Sequence, residues 1–210
     1  MIEINCHSSI KISEGKTIYI DPFKIEKEMH DADIIFITHD HYDHYSPEDV
    51  EKVASNSTII VAPKTVKALS KMRNVILVEP NNKYEVEGIK FETIPAYNVN
   101  KAFHPQENEW VGYVIEMKGT RYYIAGDTDI TTENKQVKCD IALIPVGATY
   151  TMNFKEAAEL ANTIQPKIAI PTHYGSIVGE KEDGEKFKEF LSPDIECKIL
   201  IKWGIIWKKY

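Results

Sequence analysis

Asp33-Ile34-Ile35-Phe36-Ile37-Thr38-His39-Asp40-His41-Tyr42-Asp43-His44 is the stretch from which the rest of the chain can be read. Its first half is almost continuously apolar, which predicts a strand covered on both faces and therefore a layered structure with helices outside. Its second half places four potential metal ligands, His39, His41, Asp43 and His44, within six residues. Where the chain is extended, His39 and His41 share a face, because alternate side chains point the same way. Ser46-Pro47-Glu48-Asp49 then offers an N-cap, a proline at the first helical position and acids in the first turn. The turn into that helix can swing Asp43 and His44 toward a neighbouring position. Imidazole nitrogen with carboxylate oxygen suits Zn²⁺ and other divalent first-row metals. A solvated polar loop is the plain alternative, but of seven histidines in 210 residues three fall between positions 39 and 44.

Working outward, short runs rich in Ile, Val, Tyr and Phe predict strands on both sides. They are Met1–Asn5, Ser9–Ile12, Lys16–Ile20, Asp33–Thr38, Thr58–Ala62, Val75–Val78, Lys83–Val86, Ile89–Ile94, Trp110–Met117, Arg121–Ala125, Asp140–Pro145, Lys167–Ile170, Lys198–Trp203 and Ile205–Trp207. Beyond the Ser46 helix, others are expected from Pro63 to about Met72, from an Asn153 cap over Phe154–Ile164, and around Glu182–Leu191. Ala157, Leu160, Ala161 and Ile164 fall on one face of the third. Trp203 and Trp207, either side of Gly204, are expected to pack a C-terminal hairpin. The longest loop is expected at Ala96–Asn108, and long loops in compact domains are often functional. No repeat, linker-like stretch or composition break divides the chain, so a single domain over residues 1–210 is expected.

The composition excludes several classes. Hydrophobic residues at 43% and charged residues at 27% are ordinary globular values, not those of disorder or low complexity. The net charge of −7 disfavours a protein that chiefly grips nucleic acid or anionic lipid. Three cysteines, Cys6, Cys139 and Cys197, form no CxxC pair and suit a reducing cytoplasm. Neither an export signal nor an apolar run of membrane-spanning length is seen. A soluble cytoplasmic protein is expected, with a small-molecule substrate, no membrane partner and no nucleic acid.

His39-Asp40-His41-Tyr42-Asp43-His44 matches the HxHxDH signature of the metallo-β-lactamase fold superfamily, most of whose members are metal-dependent hydrolases. Two later motifs agree in order and spacing. Tyr122-Tyr123-Ile124-Ala125-Gly126-Asp127-Thr128 resembles the family's bridging-aspartate motif, and Ile170-Pro171-Thr172-His173-Tyr174-Gly175 resembles its last histidine motif. The resemblance runs from about His7 to Gly175 and is closest to the small single-domain branch similar to ascorbate-6-phosphate lactonase and phosphodiesterase-like enzymes. It implies an α+β fold, a four-layer αββα sandwich with metals at one edge of the sheets. It also implies two divalent ions, zinc first and manganese, iron or nickel as alternatives. His39, His41 and His104 would hold one and Asp43, His44 and His173 the other, with Asp127 between them.

The third motif departs from the family. Many relatives carry Pro-Ala-x-His, whereas this chain has Pro95-Ala96-Tyr97-Asn98. His104 is the expected replacement, if the loop folds inward, ahead of Asn98 through its oxygen; a surface histidine before Pro105, with neither residue a ligand, is the plain alternative. His7 resembles a histidine that lies near the metals in small relatives; it either orients a ligand or contacts substrate, or is a satisfied core histidine. Asp21 is placed to fix a ligating histidine, or is a simple turn carboxylate. Asp40 and Asp129 read as solvated or loop-capping, and His30 as surface. Tyr97, Phe103, Trp110 and Tyr150 are candidates to wall a pocket, and Lys101 to meet an anionic substrate.

The implied activity is hydrolysis of an ester, lactone or phosphodiester bond by metal-bound hydroxide, with Asp43 holding or deprotonating the attacking water. The contrasting expectation is a non-catalytic, metal-stabilised binding module. The missing third-motif histidine is its best support, and the retained Asp43 and Asp127 are the argument against it.

Overall fold

The computed structural model describes residues 1–69 and 74–201. Two mixed sheets lie face to face. The first holds β1 (Ile2–Cys6), β2 (Ser9–Glu14), β3 (Lys16–Ile20), β4 (Ala32–Phe36), β5 (Ala54–Pro63) and β6 (Val75–Val78) in chain order. Its first three strands pair antiparallel and its last four, from β3 onward, parallel. The second sheet runs from β7 (Lys83–Val86) through β8 (Ile89–Pro95), β9 (Val111–Met117), β10 (Thr120–Ile124), β11 (Ile141–Pro145) and β12 (Ile168–Thr172) to the two-residue β13 (Glu196–Cys197). It repeats the plan: antiparallel from β7 to β10, then parallel from β10 to β13.

The apolar reading of β4 is explained by the layers. Ile34 and Phe36 face the core between the sheets, while Ile35 and Ile37 pack outward against Val50 and Val53. Those valines belong to α1 (Pro47–Val53), capped by the Ser46 side chain as its sequence predicts. In the central core Phe36 meets Phe91 and Tyr113 edge to face at 5.1 and 4.9 Å. On the far side, α2 (Phe154–Ile164) opens with a full capping box between Asn153 and Glu156 and buries Ala157, Leu160, Ala161 and Ile164. Next to it lies α3 (Asp183–Glu189), where Gly184 lets Tyr174 come close: a Cβ there would fall 2.3 Å from the Tyr174 hydroxyl. The α+β, four-layer αββα expectation is met.

Some elements differ from their sequence signals. The expected helix after Pro63 is, within the described residues, a single 3₁₀ turn at Lys67–Leu69; its end at Met72 lies outside them. The strand expected from Lys198 is displaced to Glu196–Cys197, where pairing with β12 is available, and residues 198–201 are not strand. Trp203, Trp207 and the hairpin around them lie outside the described residues. No helix among the described residues is long and apolar enough to cross a membrane.

Strand direction brings the motifs together. In the first sheet β1, β3 and β4 point the same way, so the turn after β1, the end of β3 and the loop after β4 share one edge. In the second, β8, β10 and β12 also run together, so the segments that follow them share an edge. The two edges abut: the His173 N–H donates to the His7 carbonyl at 3.0 Å, and the Tyr113 hydroxyl donates to the Ile37 carbonyl at 2.7 Å.

Candidate metal centre

Each strand end delivers one part of the centre. The loop after β4 supplies His39, His41, Asp43 and His44; the β1–β2 turn supplies His7; the loop after β8 supplies His104. Asp127 follows β10 and His173 follows β12. Two of these junctions, at His7 (φ 57°) and His173 (φ 59°), and the end of β3 at Asp21 (φ 46°) have left-handed backbone at residues other than glycine. Such conformations are uncommon and concentrate where a side chain must be aimed. Gly147 makes room for one of them, since a Cβ on it would come within 2.1 Å of the His173 carbonyl oxygen.

The donor atoms gather into two groups joined by a carboxylate. His39, His41 and His104 each place one ring nitrogen within 4.8 Å of the others; in the second group a carboxylate oxygen of Asp43 and one ring nitrogen each of His7, His44 and His173 are gathered as closely. Asp127 spans them. Its Oδ2 lies 3.3 Å from His104 Nε2 and 3.0 Å from His173 Nε2, while its Oδ1 lies 3.2 Å from His44 Nε2. Asp43 Oδ2 lies 3.2 Å from His7 Nε2 and 3.8–3.9 Å from the Nε2 atoms of His44 and His173.

The far sides of the rings are fixed. Asp21 Oδ1 accepts from the Thr38 N–H at 2.8 Å, and its Oδ2 accepts from the Thr38 hydroxyl at 2.6 Å and from His44 Nδ1 at 2.7 Å. The Thr38 hydroxyl, its proton committed to Asp21, accepts from His39 Nδ1 at 2.9 Å. Both rings therefore turn Nε2 toward the centre. Asp21 is thus a buried brace and not a simple turn carboxylate. Asn98 braces His104 in the same way, its Oδ1 lying 3.0 Å from the ring Nδ1 and 3.0 Å from the main-chain N–H. Asn98 does not face the carboxylates; His104 does. Trp110, buried, backs the first group with its ring 4.9 Å from His39 and 4.7 Å from His41.

Electrostatics show what the cluster lacks. His44 Nε2, His104 Nε2, Asp127 Oδ1 and both ring nitrogens of His7 and of His173 are buried without a hydrogen-bond partner among the described residues. Lone pairs of nitrogen and carboxylate oxygen are turned on each other at about hydrogen-bond distance, which costs free energy unless positive charge lies between them. Protons can supply it in part. Burial opposes the charged form of His44, but Asp127 and Asp21 hold its pKa well above the usual histidine value. Burial would raise Asp127, yet His173 and His44 keep it well below the carboxylate range. Asp43, raised by burial but drawn down more by His7 and His44, is lowered to about 2. Burial, reinforced by His44, pushes His39 well below the usual value, and burial with His104 lowers His41. Neutral His39 and His41 beside ionised Asp43 and Asp127 are the protonation states a divalent cation needs, and the proton that Asp127 and Asp21 hold on His44 is one that a bound cation would displace. The residues fit the ions that the sequence implies.

Other expectations resolve plainly. His7 is fully buried beside His173, ring centroids 3.7 Å apart, with Nε2 3.2 Å from Asp43 inside the second donor group; burial and His173 lower its pKa to about 4. Lys101 does not face the centre: its ammonium is held by Asp129, whose other oxygen accepts from the Val99 N–H at 3.0 Å. Asp129 is accordingly a loop cap, and Asp40 and His30 are exposed. The Tyr97 hydroxyl donates to Glu133 at 2.9 Å, while Phe103 stands exposed against Tyr150, rings 4.7 Å apart. Sequence reading missed the Thr38 relay and the bracing role of Asn98. Thr38 had a signal, a hydroxyl directly before the first ligand candidate; Asn98 had none beyond its place in the third motif.

The profile of the Beta-lactamase superfamily domain matches residues 2–173. The chain belongs to that superfamily. Within it, the relatives form the UPF0173 family of metal-dependent hydrolases. The Methanopyrus kandleri member is 31% identical, covering 92% of this chain and 94% of its own. The Thermoplasma acidophilum member is 33% identical, covering 93% and 96%. A crystal structure from Parabacteroides distasonis, carrying a metal-dependent-hydrolase assignment, superposes with a TM-score of 0.81 at 32% identity over 95% of this chain and 91% of that one. The Ignicoccus hospitalis metallo-hydrolase Igni18, at 20% identity and a TM-score of 0.76 over 94% and 93% of the two chains, shares the fold. The hydrolase family and the αββα fold expected from the three motifs are therefore those of the chain.

Proposed function

We propose that this superfamily member is a binuclear hydrolase that cleaves an ester, lactone or phosphodiester bond in a small substrate. One observation carries the reading: the Asp127 carboxylate lies 3.0–3.3 Å from His173, His44 and His104, at the junction of two separate donor groups. His39, His41 and His104 would hold one ion, Asp43, His44 and His173 the other, and Asp127 both. Zinc suits the donor set best, with manganese, iron or nickel as alternatives. Two ions bound there would supply a water acidified toward a pKa of about 7 and positive charge for the oxygen that becomes anionic.

The remaining work belongs to the chain. Asp43, ionised and half turned to His7, accepts a hydrogen bond from the attacking water; its lowered pKa suits orientation better than retention of a proton. His7 holds that carboxylate. Asp21 and Thr38 keep the lone pairs of His44 and His39 aimed inward. An anionic substrate would be met by the ions, since Lys101 is committed to Asp129. The three free cysteines and the net charge of −7 favour a reducing cytoplasm and a small-molecule substrate over nucleic acid or membrane. A non-catalytic module loses its chief support, because His104 stands where a third imidazole is needed.

The test is hydrolysis of a generic phosphodiester and a lactone panel by Zn²⁺- and Mn²⁺-loaded protein, with ion stoichiometry measured alongside. Two ions per chain and a loss of at least about 100-fold in His41→Ala are expected. A loaded protein that is inert on both panels, or binds one ion, refutes the reading.

A further inference from the structure

We infer that Asn98 is the positioning residue of the first metal group, holding a ligand delivered by an excursion of the loop instead of by the strand end. This inference rests on the binuclear reading above. The loop leaves at Asn98 and returns at His104, and the neck is closed three times. The Asn98 N–H donates to the His104 carbonyl at 2.8 Å, the His104 N–H donates to Asn98 Oδ1 at 3.0 Å, and the same oxygen faces His104 Nδ1 at 3.0 Å.

The donor inventory fixes the consequence. Asn98 Nδ2 donates to the Tyr150 carbonyl at 2.9 Å, so the amide orientation is set from outside and its oxygen must face the histidine. An amide oxygen only accepts, so His104 Nδ1 carries the proton and Nε2 offers its lone pair toward Asp127 at 3.3 Å. Asn98 thereby selects the tautomer of His104. Its amide also ties the neck to the segment that carries Tyr150, whose ring packs against Phe103 beside the ligand. Asn98 and His104 are both buried, and the residues between them include the exposed Val99 and Phe103. Position 98 thus aims a ligand six residues on and leaves the donor atom to His104.

The experiment is zinc binding by chelator competition and calorimetry, on wild type, Asn98→Leu, Asn98→Asp, His104→Ala and Asn98→Leu/His104→Ala. Thermal unfolding of the metal-free proteins reports folding separately. Asn98→Leu is expected to weaken one of the two zinc sites by about 10–100-fold, the usual cost of losing an outer partner of a ligating histidine. Asn98→Asp keeps the acceptor while losing the donor to Tyr150, and is expected to bind zinc at least as tightly as wild type. The double variant is expected to bind no worse than His104→Ala, because Asn98 reaches the metal group only by way of His104. Equal losses in Asn98→Leu and Asn98→Asp, additive losses in the double variant, or unchanged zinc binding in Asn98→Leu would each overturn the inference. Failure of wild type to bind two ions would instead strike at the binuclear reading.

Discussion

Asp21→Asn changes one atom and should damage the second metal site out of proportion to its size. The carboxylate accepts three hydrogen bonds, from the Thr38 N–H at 2.8 Å, the Thr38 hydroxyl at 2.6 Å and His44 Nδ1 at 2.7 Å. An amide has one oxygen for these donors. If that oxygen faces the Thr38 N–H, the NH₂ meets His44 and drives the imidazole to its other tautomer, with a proton where the metal-facing lone pair was. If it faces His44, the NH₂ is set against the Thr38 N–H. Either way one buried donor is stranded, costing about 1–3 kcal/mol in the metal-free protein. Zinc affinity at the His44 site should fall about 10–100-fold, equivalent to roughly 1.4–2.7 kcal/mol. Asparagine tolerates the left-handed backbone at this position, so the effect is not one of strain. Urea unfolding of the metal-free protein and chelator competition on the loaded one measure the two parts. Unfolding and zinc binding that both match wild type would refute the argument that Asp21 sets the His44 tautomer.

Two further perturbations probe different parts of the centre. His7 has a folded pKa of about 4, set by burial and His173, against about 6.5 when unfolded. The unfolded chain therefore takes up a proton that the folded chain refuses, and stability of the metal-free protein should fall as pH drops from 6.5 to 4, by roughly 3 kcal/mol from this group. Urea unfolding across that range should lose this component in His7→Gln, and an unchanged pH slope would contradict it. Gly147→Ala forces a methyl to within 2.1 Å of the His173 carbonyl, so the His173 backbone must move and zinc affinity should fall by at least tenfold. Calorimetric titration giving wild-type affinity would show that the segment yields without disturbing the ligand.

Legibility in the sequence followed physical locality. A layered structure with helices outside is legible because β4 and β11 are apolar on both faces, a pattern of covered strands; the four-layer αββα arrangement comes from the resemblance of the motifs. α2 was read to the residue because its cap, capping-box partner and apolar stripe are all encoded within the helix. Asp43 and His44 are legible as candidates because they crowd with two other histidines after one strand, whereas Asp127 and His173 are legible through the resemblance of their strand-end motifs to the family's. The bracing residues were less accessible. Thr38 and Asn98 act through contacts with rings whose orientation depends on another element, Asp21 for one and the Tyr150 carbonyl for the other. The C-terminal strand was misplaced because Lys198–Ile201 has a strand's composition, while pairing with β12 goes to Glu196 and Cys197.

The division of the candidate ligands between the two sheets has a thermodynamic consequence. His39, His41, Asp43 and His44 come from one sheet and His104, Asp127 and His173 from the other, so ions held among them act as rivets across the seam. An ion held there would stabilise the folded chain by RT ln(1 + [L]/Kd), about 4 kcal/mol at a free ion concentration 1,000 times Kd. That is a large part of the net stability of a typical domain. A hydrolase built this way registers metal supply as persistence against unfolding as well as turnover, so chelation should shorten its lifetime along with its activity.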